Sequence, residues 1–279
     1  MKPLVYQTDF GLSDGAVSVM YGVALKECPD LKIYDLTHDI EPYNVWDAAY
    51  RLLQTVDYWA EGTVFVSVVD PGVGGPRRSV CAKLKTGQII VTPDNGTLTF
   101  LAKRGEIEEL RLIDEEKRRL QGSEESYTFY GRDVFAYTGS LLASERLAFE
   151  DVGEKVPVDS VEMLPTTDPI IKEEESVEGI IDVLDIRFGS LWTNIPKDAF
   201  MKLGVNVGDR VEIEINDEKR TVYHNTMRYE NSFAGVYVGE TLTYVNSLGC
   251  MAVAINQGNF SRAYNIGTGN NWHITYRKI

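Results

Sequence analysis

The sequence predicts an α/β N-terminal domain with a mainly parallel sheet over residues 1–165, then an all-β C-terminal small barrel over 176–279. Three observations carry this. From residue 3 to 143, short apolar β-runs alternate with stretches of helical period, as in strands joined by helical crossovers. Between 157 and 175, three prolines and the run Lys172-Glu173-Glu174-Glu175 mark a solvated linker. From about 177 the helical period is gone, and short β-runs follow one another between Gly, Asn and Asp.

PLVYQT (3–8) reads as the first strand, and Asp9 to Asp14 as a loop in which Ser13 or Asp14 can cap the next helix. In that helix Val17, Met20, Tyr21, Ala24 and Leu25 recur at i, i+3, i+4, i+7 and i+8, one apolar face. LKIYDLT (31–37) is a second strand, and Val45, Ala48, Ala49, Leu52, Leu53 and Val56 mark a second amphipathic helix. TVFVSVVD (63–70) is almost wholly apolar, as a central parallel strand would be. SVCAKLK (79–85) and QIIVTP (88–93) are joined by a turn at Thr86-Gly87, and a helix begins near Gly96. The polar stretch 113–126 reads as a solvated excursion. Order returns at YTFYGRDV (127–134), where Asp133 can cap a helix running to Ala143. In the second domain GIIDVLDI, DRVEIEIN, RTVYHNTM, TLTYVN, CMAVAIN and HITYR predict a small antiparallel barrel or sandwich of about 100 residues.

With 28 basic and 42 acidic residues among 279, the net charge is −14. Such a chain is a poor binder of nucleic acid or of an anionic membrane, and suits a cationic ligand better. Cys28, Cys81 and Cys250 lie far apart and form no CxxC pair, so they read as reduced core thiols. The first residues lack a signal-peptide apolar segment, and no apolar run is long enough to span a membrane. A cytoplasmic protein is expected. His38, His224 and His273 lack metal-ligand spacing, so no metal is expected.

The most informative stretch is Val-Val-Asp-Pro-Gly-Val-Gly-Gly-Pro-Arg-Arg at 68–78. It places Asp70 at a strand's carboxyl end, a glycine-rich turn beside it, and Arg77 and Arg78 a few residues on. Asp9 and Asp94 close two further strands. Ligands of open α/β sheets bind at the carboxyl ends of strands, so the three carboxylates converge if their strands are neighbours. A phosphate-binding hydrolase built on the Gly72–Gly75 loop ranks low: GxxxxGK[ST] is absent and Pro71 removes a backbone donor.

Seven motifs in order, TDFGLSDG (8–15), DLTHDIEPYNV (35–45), EGTVFVSVVDPGVG (61–74), TPDNGTLT (92–99), TFYGRDVFA (128–136), FGSLWTNI (188–195) and NSLG…AINQG (246–258), give a resemblance over nearly the full length. The chain resembles the S-adenosyl-L-methionine hydrolases, or hydroxide adenosyltransferases, which are homologous to fluorinase and chlorinase. The resemblance implies a homotrimer whose substrate lies between the N-terminal domain of one subunit and the C-terminal domain of the next. It also implies nucleophilic displacement at the ribose C5′ carbon, with methionine leaving and no organic or metal cofactor. Asp70 and Arg77 would belong to the hydrolases' Asp-Arg-His triad that handles the attacking water. Asp9 would hold the ribose hydroxyls and Tyr43 would pack near them, with Asp14 and Gly131 also at the substrate. In the C-terminal domain Asp185 would meet the methionine ammonium, with Asn246 and Ser247 near its carboxylate. Asn256 and Gln257 would border adenine, with Phe188 and Ser190 beside them.

The motifs also depart from the hydrolase pattern. Tyr130 stands where hydrolases carry His and halogenating enzymes carry Tyr. Gly131 is similar to the chlorinase, where the fluorinase has Ser, and the spacing from Asp185 to Gly189 resembles the halogenating branch. Ser190 replaces an Asn used for adenine, and Leu248 an Arg found in the fluorinase. Asp70 and Arg77 are hydrolase residues. A carboxylate beside a bare halide repels it, whereas water uses Asp70 to orient or accept a proton and Arg77 to stabilise hydroxide character. Hydrolysis of S-adenosyl-L-methionine to adenosine and methionine is therefore the expected reaction. A halide-dependent adenosyl halide synthase and a non-catalytic S-adenosylmethionine or adenosine binder are the alternatives. Tyr130 is expected to hold the water without deprotonating it, because a phenol is a weak base at neutral pH.

Overall fold

β1 (Leu4–Thr8) is buried along its whole length, as the run LVYQT dictates. In the computed structural model, which describes residues Met1–Ile279, the chain forms two compact units, Met1–Leu164 and Pro165–Ile279. After β1 come α1 (Ala16–Glu27), β2 (Ile33–Thr37), α2 (Val45–Thr55), β3 (Val64–Val68), β4 (Ser79–Leu84) and β5 (Ile89–Pro93). The first unit is completed by α3 (Thr99–Lys103), β6 (Ile107–Leu112), a π-helical stretch Gly131–Ala136 that leads into α4 (Tyr137–Ala143), and β7 (Lys155–Val156). The sheet order is β2-β1-β3-β5-β4-β6-β7. It is parallel from β2 to β5, with Leu4 opposite both Ile33 and Val64, and Val64 opposite Ile89. From β5 onward it is antiparallel, beginning with the β4–β5 hairpin.

Strand alternation divides the core between the two faces of this sheet. Leu4, Tyr6, Val64 and Val66 pack with Met20 and Ala24 of α1 and with Val134, Phe135 and Leu142. Val5, Phe65 and Val80 pack with Leu52 and Leu53 of α2 and with Leu98 and Leu101. Parallel pairing of β1, β3 and β5 brings their carboxyl ends to one edge, as the three strand-ending aspartates require.

In the second unit β8 (Ile170–Lys172) is a short hairpin partner of β9 (Ser176–Leu184). Then come β10 (Leu191–Pro196), α5 (Lys197–Met201), β11 (Arg210–Asp217), β12 (Thr221–Tyr229), β13 (Thr241–Val245), β14 (Cys250–Ile255), α6 (Phe260–Tyr264) and β15 (Gly269–Lys278). The order β10-β14-β13-β12-β11-β15-β9 closes through β9–β10 pairing, so these strands form a barrel with β8 beside β9. Alternate residues Val211, Ile213 and Ile215 fill its interior with Phe200, Tyr229 and Tyr276.

The structure departs from the sequence expectation at several points. In α1, Val23 is buried and Leu25 is exposed, because Val17, Met20 and Ala24 centre the inward stripe and residue 25 falls beyond its rim. Asp133 caps no helix: it is buried inside the π-helical stretch, where the Arg132 guanidinium holds it at 2.6 Å. The segment expected to be a linker contributes β8 to the second unit. β6 was hidden in the sequence by its charged residues, and β10 by the Asn and Pro in LWTNIP. The β12–β13 pairing is parallel, an exception in an otherwise antiparallel barrel.

Candidate functional site

The shared carboxyl edge of β1 and β3 carries a cleft of about 490 Å³. Asp9, Asp14, Tyr43, Asp70, Tyr130 and Gly131 all line it, so these predicted residues of the first unit are brought together from four separate segments. Arg77 is not on the wall; it stands behind Asp70. Asp94 does not join them. It is buried, paired with Arg78, and accepts the Glu162 N–H at 2.9 Å. Of the three strand-ending carboxylates, two therefore face the cleft and the third anchors a loop.

The backbone prepares each side chain. Tyr43 adopts a left-handed φ of 70°, unusual and strained for a bulky residue, and its N–H donates to Asp9 Oδ2 at 2.8 Å. That contact fixes the Asp9 carboxylate and leaves its other oxygen for a ligand. Buried His38 is close to Thr8 Oγ1 at 2.8 Å and Asp35 at 2.9 Å, and its carbonyl accepts from Gly11, so it braces the Asp9 loop from behind. Asp14 accepts the Ala16 N–H at 2.8 Å, tying it to the start of α1. Gly74 has φ 75°, and a Cβ there would stand 2.9 Å from the Tyr127 carbonyl oxygen. Glycine thus lets the Asp70 turn lie directly against the segment that carries Tyr130. A Cβ on Gly131 would press on the Phe10 ring, which meets Phe129 edge-on at 5.8 Å.

Asp70 and Arg77 form a forked pair. Arg77 Nε donates to both carboxylate oxygens at 3.1 and 3.0 Å, and Nη2 to Oδ2 at 2.6 Å. Arg77 Nη1 donates to Ser79 Oγ at 3.0 Å, and the guanidinium lies 4.7 Å from the Tyr130 ring centroid and 5.4 Å from that of Phe135. Because the guanidinium is behind and the carboxylate in front, the pair presents its negative end to the cleft. Arg77 acts on anything in the cleft through Asp70.

Tyr130 is packed between Arg77 and Arg119, whose guanidinium is also 4.7 Å from its centroid. Burial pushes its phenol above the ordinary value. The Glu115 carboxylate adds to this as a charge and as a hydrogen-bond acceptor, while Arg119 and Arg77 pull the other way. The hydroxyl therefore stays protonated at neutral pH. Glu115 and Arg119 come from the stretch expected to be solvated; Arg119 packs on the Tyr130 ring and Glu115 accepts from Ser79. Nothing local in a polar run of 14 residues (113–126) marks Glu115, whose bond to Ser79 spans 36 positions.

The second unit's predicted residues fall at two levels of its barrel. The β9–β10 loop (185–190) and the loop after β14 meet at one end, where Ser261 N–H donates to the Gly189 carbonyl at 3.0 Å. Here Asp185 Oδ1 accepts from the backbone of Arg187 and Phe188, Phe188 is exposed, and Ser190 is buried. Asn256 uses its amide to hold the Phe233 and Val236 carbonyls, and Gln257 is exposed at a left-handed φ of 56°. Asn246 and Ser247 lie in the β13–β14 turn at the opposite end of β14, six residues or about 20 Å away. Burial raises the Tyr244 phenol above the ordinary value, and the Asp185 charge adds to this. Buried Asn246 accepts from Leu248 and Cys250 through Oδ1, while its Nδ2 has no partner within the chain. A buried amide donor left open is a place for an external acceptor.

All three histidines have protein partners: His38 as above, His224 with Glu212 at 3.2 Å, and His273 with Glu178 at 3.9 Å. No helix is long and apolar enough to cross a membrane.

Comparison with known proteins agrees with this architecture. Residues 4–153 match the SAM hydroxide adenosyltransferase N-terminal domain family, and residues 179–273 match the C-terminal domain family. The (R)-S-adenosyl-L-methionine hydrolase of Methanocaldococcus jannaschii is 36% identical over 196 residues, covering 68% of this chain and 66% of that protein. Its namesake from Thermus thermophilus is 32% identical over 277 residues, 96% and 98% of the two chains. The fluorinase of Actinopolyspora mzabensis is 26% identical over 98% of this chain and 97% of its own. An uncharacterized conserved protein from Thermotoga maritima superposes with a TM-score of 0.87 at 32% identity, covering 99% of this chain and 100% of that one.

Proposed function

The chain belongs to the SAM hydroxide adenosyltransferase family, and from that premise we propose that it hydrolyses S-adenosyl-L-methionine to adenosine and L-methionine by attack of water at the ribose C5′ carbon. One observation carries the choice of nucleophile: the Asp70 carboxylate faces the cleft with Arg77 behind it. A chloride 4 Å from that oxygen meets roughly 4 kcal/mol of repulsion at an effective dielectric of 20, which Arg77 reduces without reversing. A water at the same place donates a hydrogen bond to the carboxylate and turns its lone pair outward. The sulfonium is a good leaving group, so alignment of the water supplies much of the catalysis.

Asp9 is suited to the ribose hydroxyls, because one of its oxygens is fixed by Tyr43 and the other is left to accept. Asn246 Nδ2 is suited to the methionine carboxylate. The Asn246–Ser247 turn and the Asn256–Gln257 loop lie at opposite ends of β14, which favours methionine at the first end and adenine at the second. No metal or organic cofactor is needed, since nothing is oxidised and the leaving group is already activated. Three cysteines that form no disulfide suit a reducing cytoplasm.

The test is incubation with S-adenosylmethionine in ¹⁸O-water, with and without chloride. Adenosine labelled at its 5′-oxygen is expected in both, unchanged after chelation. 5′-Chloro-5′-deoxyadenosine would establish the halide reading, which Tyr130 and Gly131 favour. No product would leave a binding protein.

We further propose that the protein works as a homotrimer, with Asp9 and Asp70 of one copy and Asp185 and Asn246 of the next serving one substrate. Specific activity should then fall on dilution in step with loss of the assembly by light scattering. A monomer with full activity would end this proposal.

A further inference from the structure

Asp9 stands in a loop that one residue grips on both sides. After Asp9, the Gly11 N–H donates to the His38 carbonyl at 2.8 Å. Before it, Thr8 Oγ1 meets His38 Nδ1 at 2.8 Å. Thr8 Oγ1 also accepts the Phe10 N–H at 3.2 Å, which closes a turn across Asp9 itself. On its other edge the His38 ring meets Asp35 Oδ1 at 2.9 Å, and Tyr21 donates to the same oxygen.

The hydrogens of this array have one consistent arrangement. The Asp35 carboxylate only accepts, so His38 Nε2 carries a hydrogen. Thr8 is fully buried, and Nδ1 is the acceptor its hydroxyl hydrogen finds there. Thr8, His38 and Asp35 thus have the order of a nucleophile, a base and an orienting carboxylate. They lack the access such a triad needs. Neither Thr8 nor His38 lines the 490 Å³ cleft, and the His38 side chain is 1% exposed. An array sealed behind the wall acts on a ligand by fixing the backbone in front of it.

Resting on the reading that Asp9 holds the ribose hydroxyls, we propose that His38, through Thr8, is the positioning residue that makes the site select ribose over sugars lacking the 2′- and 3′-hydroxyls. The Asp9 carboxylate carbon is two bonds from its own Cα, so a shift of the loop moves it directly. Tyr43 N–H fixes Oδ2 from one side at 2.8 Å, and the His38 grip fixes the main chain from the other. Two vicinal hydroxyls bind one carboxylate together only when its plane is held. The expected adenine and methionine contacts, on Asn256 and Asn246, belong to other loops, so the effect is confined to the sugar.

The experiment measures calorimetric affinities of the full chain for adenosine and for 2′,3′-dideoxyadenosine, with folding checked by circular dichroism. Wild type should prefer adenosine by about tenfold or more, as hydrogen bonds to a charged acceptor imply. Thr8→Val and His38→Gln cut the Thr8–His38 bond from its two sides. Each should erase most of the preference through weaker adenosine binding, with the dideoxynucleoside bound as by wild type. Their double variant should be no worse than either alone. Thr8→Ser keeps the hydroxyl and should keep the preference. His38→Asn sets an amide where Nδ1 stands, whereas Gln sets one where Nε2 stands, so Asn should outperform Gln. Equal losses for both nucleosides, an undiminished preference in Thr8→Val, or Gln outperforming Asn would overturn the proposal. So would a wild type that binds the two nucleosides equally, since Asp9 would then not hold the ribose. A wild type with the preference and no turnover of S-adenosylmethionine would remove hydrolysis and leave this positioning role standing.

Discussion

Asp70→Asn should lower kcat by roughly a hundredfold or more and change KM little. The amide keeps the shape of the carboxylate and one acceptor for Arg77. It loses the charge that turns the water's protons inward and its lone pair toward C5′. That orientation matters most when the C–O bond is forming, so the loss belongs to the transition state. Steady-state kinetics and equilibrium binding of a non-hydrolysable S-adenosylmethionine analogue measure the two parts separately. If binding weakens while kcat holds, Asp70 is a substrate contact and another group handles the water.

Removing Arg77 should have the largest effect on stability. Arg77 and Asp70 side chains are only 10% and 5% exposed, so Arg77→Met strands a carboxylate in a site built to hold it charged. Breaking such a pair from one side costs about 3–5 kcal/mol. The loss of the guanidinium between Tyr130 and Ser79 acts in the same direction. Urea unfolding should show the loss directly, with activity abolished because Asp70 is no longer held. Adding Asp70→Asn to Arg77→Met should recover much of the stability and none of the activity. Arg77→Lys should fall between, since an ammonium cannot fork across both oxygens. An Arg77→Met protein as stable as wild type would show that the pair contributes nothing net to the fold.

The resemblance, and much of the architecture, lay open in the sequence because they depend on local pattern. The apolar runs at 3–8 and 63–70 could only be buried strands, and the strand–helix alternation placed Asp9 and Asp70 at carboxyl ends of a largely parallel sheet. The change of period after 177 separated helical crossovers from short barrel strands. Asp70, Tyr43 and Tyr130 could be named because each sits in a motif with its own neighbours.

What the sequence left undecided depends on which charged partners the fold brings to each carboxylate. Asp9, Asp70 and Asp94 look alike in sequence, each closing a strand. Only the fold decides that Arg78 withdraws the third, while Arg77, one residue earlier, presents the second to the cleft. Arg77, expected to stabilise the attacking water, stands behind Asp70. Asp133 had the place of a helix cap, but its neighbour Arg132 holds the carboxylate inside a π-helical stretch. Glu115 gave no signal in a run of acidic and basic residues that reads as solvated surface. Its charge counts because β4 brings Ser79 and Arg77 to it. Periodicity reports which way a side chain faces within its own element. Which charge it meets there is fixed only by the tertiary fold, and for this site that meeting determines the chemistry.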